Sequence, residues 1–329
     1  MFKKKSLKLI GLVCMFVLVV FCAMGYSQSE DKWPEKEIKF IMVFDPGGGG
    51  DQLTMALKPF LEKALNTKII TEYKTGAGTQ IAYEFLLQKP ADGYTYAFLA
   101  LPHLVNTIIL QDPSYKLEDF YPLANITSDK TIWATRKDGK WNNMKELIED
   151  ARNRPREIIL GVGSLTNELY LSAAILQEKA GVEFQIVPTG SGAKVTTGVL
   201  GGHFDVGLFR ATSIIDIKDE LKGLGVVGGE RSIIFPDVAS FDEQLPEKQR
   251  IPHLQNYFGL VVRSKFKEEY PERFEKFVAA VKDALNEEVY QKFLASRNQA
   301  FTYASPEEHW EEMLNLKEIM EEYKSYMEQ

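Results

Sequence analysis

Four glycine-rich stretches carry most of the chemical information in the sequence: Pro46-Gly47-Gly48-Gly49-Gly50-Asp51, Thr75-Gly76-Ala77-Gly78-Thr79-Gln80, Gly161-Val162-Gly163-Ser164 and Thr189-Gly190-Ser191-Gly192. Each stands where an apolar run of strand length gives way to a helical pattern. At such a junction the first helical N–H groups have no intrahelical acceptor, so the turn favours an anion. Glycine lets the backbone come close to it. A nucleotide phosphate loop needs Lys-Ser/Thr after its last glycine, and here Asp51-Gln52 follows. A dinucleotide fingerprint needs G-x-G-x-x-G, and an acid beside a pyrophosphate repels it. A carboxylate suits a few backbone N–H groups together with the hydroxyls of Thr79, Ser164, Thr166, Thr189 and Ser191. The competing reading makes these ordinary tight turns with Asp51 as a helix cap. Four turns in the same register weigh toward a ligand site.

Catalytic constellations do not emerge from the sequence. His103, His203, His253 and His309 are scattered with no i, i+4 pair, which argues against zinc or iron. Gly190-Ser191-Gly192 is not the Gly-x-Ser-x-Gly of a nucleophile elbow. No cofactor is expected, and the reading is of a non-enzyme.

The elements that must position these turns alternate. Strand patterns at Ile38 to Phe44, Lys68 to Glu72 and Tyr94 to Leu99 enclose helical patterns at Gln52 to Leu65 and Gln80 to Gln88. A second set has strands at Lys130 to Thr135, Ile158 to Val162, Phe184 to Val187 and Val206 to Phe209, with helices at Asn143 to Arg152, Asn167 to Ala180 and Lys194 to Leu200. Such alternation predicts α/β architecture with mostly parallel sheets flanked by helices. After a strand at Tyr257 to Val262, Glu268 to Leu294 reads as one long helix. Ser305-Pro306-Glu307-Glu308 then opens another, with cap, proline and first-turn acids in order.

A chain of 329 residues exceeds the roughly 250 that one core usually fills, so two domains are expected. The predicted division is 30–130 plus 259–329 for a discontinuous domain 1 and 131–258 for domain 2. Four turns, two per domain, then face one another at the carboxyl ends of strands, where α/β sheets bind ligands. Lys3, Lys4, Lys5 and Lys8, the apolar run from Leu9 and the small residues around Ala23-Met24-Gly25 predict a secretory signal peptide over residues 1–25. An uncleaved anchor, or lipidation at Cys22, is the alternative. Removal takes four Lys and no acid, moving the net charge from −7 to −11, and takes both cysteines, Cys14 and Cys22. That acidity argues against a nucleic-acid partner.

Trp33-Pro34-Glu35-Lys36, Phe44-Asp45-Pro46-Gly47-Gly48-Gly49-Gly50-Asp51, Thr75-Gly76-Ala77-Gly78-Thr79, Ala91-Asp92-Gly93-Tyr94-Thr95 and Leu200-Gly201-Gly202-His203-Phe204-Asp205-Val206 resemble the extracytoplasmic substrate-binding receptors of tripartite tricarboxylate transporters, the Bug family. Arg231 and Phe235-Pro236-Asp237-Val238 extend the resemblance toward the C-terminus. It implies a two-lobed, type II periplasmic-binding-protein fold, a Venus-flytrap closing on a small carboxylated solute (a di- or tricarboxylate, an amino acid or an aromatic acid). It also implies delivery, by a monomeric periplasmic receptor, to the membrane permease subunits of a tripartite transporter.

Carried over by position, the resemblance places Phe44, Gly48, Gly49, Asp51, Gly78 and Thr79 on the domain 1 side of the ligand cleft, and Pro46, Gly47, Gly50, Gly76, Ala77 and Gln80 of the same turns are expected to line it with them. Ser164, Thr166, Asn167, Thr189, Gly190, Ser191 and Asp205 fall on the domain 2 side. The sequence departs from the family pattern at Asp45, at Gly50, at Thr189-Gly190-Ser191 and at Arg210. Arg210 follows a strand at its carboxyl end, and its planar fork suits a second ligand carboxylate; the alternative is an ion pair with Asp205 or Asp216. The same fold also serves ligand sensors, and a secreted hydrolase with an oxyanion hole is the remaining rival.

Overall fold

The apolar run at Ile38 folds as β1 (Ile38–Met42), a central strand with four of its five residues buried. The chain continues as α1 (Gly49–Leu65), β2 (Ile69–Tyr73), α2 (Gln80–Leu87), β3 (Thr95–Ala100), α3 (Leu101–Gln111) and β4 (Phe120–Asp129). It then forms β5 (Thr131–Arg136), α4 (Met144–Asn153), β6 (Ile159–Val162), α5 (Glu168–Ala180), β7 (Gln185–Pro188), α6 (Gly192–Leu200), β8 (Val206–Arg210) and β9 (Leu221–Val226). A short helix, α7 (Phe241–Gln244), leads to β10 (Asn256–Arg263). The C-terminal helices are α8 (Ser264–Glu269), α9 (Pro271–Leu285), α10 (Glu288–Ser296), α11 (Pro306–Glu322) and α12 (Lys324–Met327). This computed structural model describes residues 32–165, 167–254, 256–297, 299 and 303–328. The leader with Cys14 and Cys22, and Thr166, lie outside the described residues. Residues 36–329 form one compact unit that holds all these elements.

Two five-stranded sheets have the orders β2-β1-β3-β10-β4 and β7-β6-β8-β5-β9. β1 pairs in parallel with β2 and β3, and β6 with β7 and β8, while β10 and β5 run antiparallel to both of their neighbours. The reversal has a geometric cause. The chain passes from the carboxyl end of β4 at Asp129 straight into β5 at Thr131, so β5 enters its sheet at the edge where the other strands end. β10 re-enters the first sheet in the same way. Main-chain bonds knit the crossing: Ala211 N donates to Lys130 O at 2.9 Å and Val227 N to Thr131 O at 2.9 Å. The carboxyl ends of the parallel strands of both sheets therefore adjoin the crossing.

Caps fix where the helices start. Asn143, Asn167 and Ser191 each accept an N–H from the first turn of α4, α5 and α6 with their side chains. Ser305 forms the capping box anticipated for α11, with Glu308 accepting the Ser305 N–H at 2.8 Å.

Four elements depart from expectation. The single helix over Glu268 to Leu294 is broken into α8, α9 and α10, since Pro271 removes a helical N–H and opens α9 at its first position. β4 carries Pro122, which disguises it as a non-strand, and its edge position tolerates the missing donor. α3 and β9 also go beyond the sequence reading.

Candidate functional site

On the first sheet, Phe44 leaves β1 half-buried and packs its ring against Phe98, His103 and Phe258, with centroids 5.8, 5.3 and 6.3 Å away. Pro46 and Gly47 are exposed, Gly48 caps α1, and Gly49 and Gly50 begin it. A Cβ on Gly50 would lie 2.8 Å from the Phe98 ring, so the helix start seats on the aromatic cluster only because this residue is glycine. Asp51 is engaged within its own lobe. Its Oδ2 accepts the Gly47 N–H and its Oδ1 the Tyr73 hydroxyl, both at 2.8 Å. It is the third helical residue, not the cap, and it closes the turn upon itself.

The turn at Gly76 to Thr79 is built differently. Gly76, Ala77, Gly78 and Thr79 all have positive φ, at 118°, 46°, 63° and 92°. For alanine, and more for a β-branched threonine, this is strained backbone, of the kind that concentrates at ligand sites. The Thr107 hydroxyl holds the turn by donating to Gly78 O at 3.0 Å. Thr79 is buried, yet its Oγ1 has no hydrogen-bond partner among the described residues. Gln80 turns away, donating to Glu84 at 2.8 Å.

On the second sheet the loops after β6 and β7 touch, with Gly190 N donating to Gly163 O at 3.0 Å. Three of the polar side chains expected to face a ligand are engaged within these loops. Asn167 and Ser191 are spent as caps, and the Thr189 hydroxyl lies 2.8 Å from Ser191 O. Ser164 is half-buried after β6, and Gly190 is exposed with φ 85°. Asp205 is misplaced in the sequence reading. It precedes β8, at the amino edge of the sheet, where its carboxylate accepts the Ile159 N–H at 2.8 Å, far from the carboxyl ends.

Arg210 pairs with neither Asp205 nor Asp216. Its Nε and Nη2 both contact Oε1 of Glu168, at 2.8 and 2.7 Å. Glu168, the first residue of α5, is 1% exposed, and its Oε2 has no partner among the described residues. Across the crossing, His103 in the first turn of α3 leaves Nδ1 buried and without a hydrogen-bond partner among the described residues. Burial first, and then the Arg210 charge, push its pKa below the ordinary 6.5, with Glu168 opposing. Asp129, at the end of β4, receives the Thr212 N–H and hydroxyl, and burial holds its carboxyl above the ordinary range. Arg210 and Glu168 act on both groups, so the two sheets present their polar residues to one electrostatic neighbourhood.

A cavity of 600 Å³ runs along α3 from His103 to Gln111, bounded by Gly78 and by Met327 and Glu328 of the C-terminus. Another, of 440 Å³, lies beside the crossing among Asp129, Lys130, Thr212, Glu230 and Tyr257. Its ionic side chains are already matched: Lys130 with Glu230, and Asp129 with Thr212.

The sequence profile described as "Tripartite tricarboxylate transporter family receptor" (TctC) matches residues 55–313. The chain belongs to this family. It is similar to a TctC solute-binding protein from Polaromonas, with 25% identity and a TM-score of 0.81 over 89% of this chain and 99% of that one. Among curated relatives, Protein BugT of Bordetella pertussis is 23% identical over 69% of this chain and 71% of its own length. The UPF0065 protein in the gbd 5′ region of Cupriavidus necator is 27% identical over 71% of this chain and 72% of its own. MatC of Rhodopseudomonas palustris, solved with bound malate, shares the fold at a TM-score of 0.65 and 18% identity over 88% of this chain and 99% of that one. The resemblance to Bug receptors and the two-lobed α/β architecture thus both hold.

In this TctC-family chain, Glu168 and His103 were absent from the residues expected at the site. Signals for both existed. Leu101-Pro102-His103 directly follows the β3 run, the same strand-to-helix junction that singled out the glycine turns, and Glu168 follows a cap residue after Gly163.

Proposed function

We propose that the protein is an extracytoplasmic, non-catalytic receptor that captures a small carboxylated solute between its lobes and hands it to the permease subunits of a tripartite transporter. The observation that carries this reading is the trio of buried, unpartnered polar atoms, Thr79 Oγ1 and His103 Nδ1 on one lobe and Glu168 Oε2 on the other. Buried polar groups left unsatisfied are costly, and a ligand that supplies their partners recovers that free energy. The strained Gly76 to Thr79 turn and the helix starts at Gly48 and Ser191 add N–H groups to the same cleft. The relatives solved with malate and with adipate support a carboxylate as the ligand class.

Closure follows as rotation of the lobes about the crossings at residues 129–131 and at the entry to β10. Export relies on residues 1–25, by cleavage or by lipidation at Cys22, and the receptor works as a monomer. Among the described residues no helix is long and apolar enough to cross a membrane.

A thermal-shift screen over organic acids, amino acids and aromatic acids tests the reading. A true ligand at a hundredfold excess over its Kd stabilises the fold by about 2.7 kcal/mol. If neutral sugars or metal ions stabilise the protein and no carboxylate does, the reading fails.

A further inference from the structure

Arg210 uses Nε and Nη2 on a single oxygen of Glu168, at 2.8 and 2.7 Å. That geometry is wasteful for a purely structural pair, since the fork of an arginine matches both oxygens of a carboxylate side by side. It leaves Oε2 of Glu168 buried without a partner, and it leaves the remaining N–H groups of a guanidinium that is 29% exposed. The pair sits at the carboxyl end of β8 and the start of α5, facing His103 and Asp129, the titratable groups that share its neighbourhood. It therefore offers one anionic acceptor and one cationic donor set side by side, with no net charge.

A bare second carboxylate placed there meets Arg210 but also a buried anion with a free lone pair. A lone ammonium meets Glu168 but also Arg210. A group carrying both charges on adjacent atoms satisfies both.

We propose that the Glu168–Arg210 pair is the recognition point for the head group of an α-amino acid, its ammonium donating to Glu168 Oε2 and its carboxylate accepting from the Arg210 N–H groups that Glu168 does not engage. This rests on the reading of the cleft as a carboxylate site and narrows its ligand class. The side chain then extends toward the opposite lobe, where Phe44, His103 and Phe258 form an aromatic wall.

The test is calorimetric titration of the full exported chain with the common L-amino acids, each beside the same acid lacking its amino group: glutamate with glutarate, phenylalanine with 3-phenylpropionate, leucine with 4-methylvalerate. Losing one partner of a desolvated charge contact weakens binding by about 30-fold or more, so the amino acid that binds must exceed its partner by that factor. Glu168→Gln, whose unliganded melting confirms folding, should erase most of the difference, and Arg210→Gln should weaken the amino acid and its partner alike. If a carboxylic acid without an amine binds as tightly as its amino-acid counterpart, the amino-acid proposal is overturned while the carboxylate receptor stands. If no acid of either kind binds, the amino-acid proposal falls, and the carboxylate receptor falls with it only when malate, adipate, citrate and benzoate, titrated alongside, also fail to bind.

Discussion

Asp51 and Glu168 occupy matching places, one in each lobe: both are buried carboxylates in the first turn of a helix that follows a strand ending at the cleft. They differ in what satisfies them. Asp51 has a neutral donor on each oxygen, from Gly47 and Tyr73, both supplied by its own lobe. Glu168 has two donors from Arg210 on one oxygen and none on the other. A buried polar group that its own surroundings complete is a structural device, and one left half-complete is kept for something that arrives later. Thr79 and His103 fall in the second class.

The comparison breaks most visibly at the carboxylates themselves. Asp51→Ala leaves a turn N–H and a tyrosine hydroxyl without acceptors, and should cost about 2 kcal/mol in urea unfolding. Glu168→Gln, which keeps an acceptor for Arg210, should cost less than about 1 kcal/mol without ligand. Equal losses would erase the distinction.

His103 supplies a pH signature. Its folded pKa lies below the ordinary 6.5, so the folded state binds fewer protons than the unfolded state in that window. Its contribution to stability is complete above pH 6.5 and is lost as the pH falls toward the folded value, by at most about 1.4 kcal/mol at pH 5.5. His103→Phe should flatten the pH dependence of stability between 7.5 and 5.5; an unchanged slope would show that His103 does not titrate this way.

At the strained turn a gain in stability is expected instead of a loss. Thr79→Gly relieves a positive φ and removes the unpartnered hydroxyl, so the unliganded protein should gain about 1 kcal/mol while losing affinity for its ligand. Lower stability together with intact binding would make Thr79 an ordinary turn residue.

Much of this architecture was legible before any coordinates. Strand runs and helical periods depend on local burial, and they predicted both α/β sets and the turns between them. The reversed strands β5 and β10 were not legible as reversed, because direction is set by where the chain crosses between sheets and leaves no local mark. β4 hid behind Pro122. Within the site, glycine clusters announced themselves by composition, whereas the state of satisfaction of each side chain depends on partners distant in sequence: Tyr73 for Asp51, Arg210 for Glu168. Asp205 was misjudged for a related reason. Its motif lies beside a strand, and only topology says which end of that strand meets the cleft.

The C-terminus makes a third tie between the lobes. α11 packs on β4 and α3 of the first lobe, while α12 packs on α5 of the second, where the Tyr326 hydroxyl reaches Glu178 at 3.0 Å. In the proposed closure the two strand crossings, at residues 129–131 and at the entry to β10, are the pins of a door, and a tie away from that axis acts like its chain. Any swing that parts the lobes must release α12 or bend the joint at Tyr323. Among the described residues, apart from the packing of α12, the latch is one exposed hydrogen bond worth about 1 kcal/mol, weak enough to yield to thermal motion in the proposed opening.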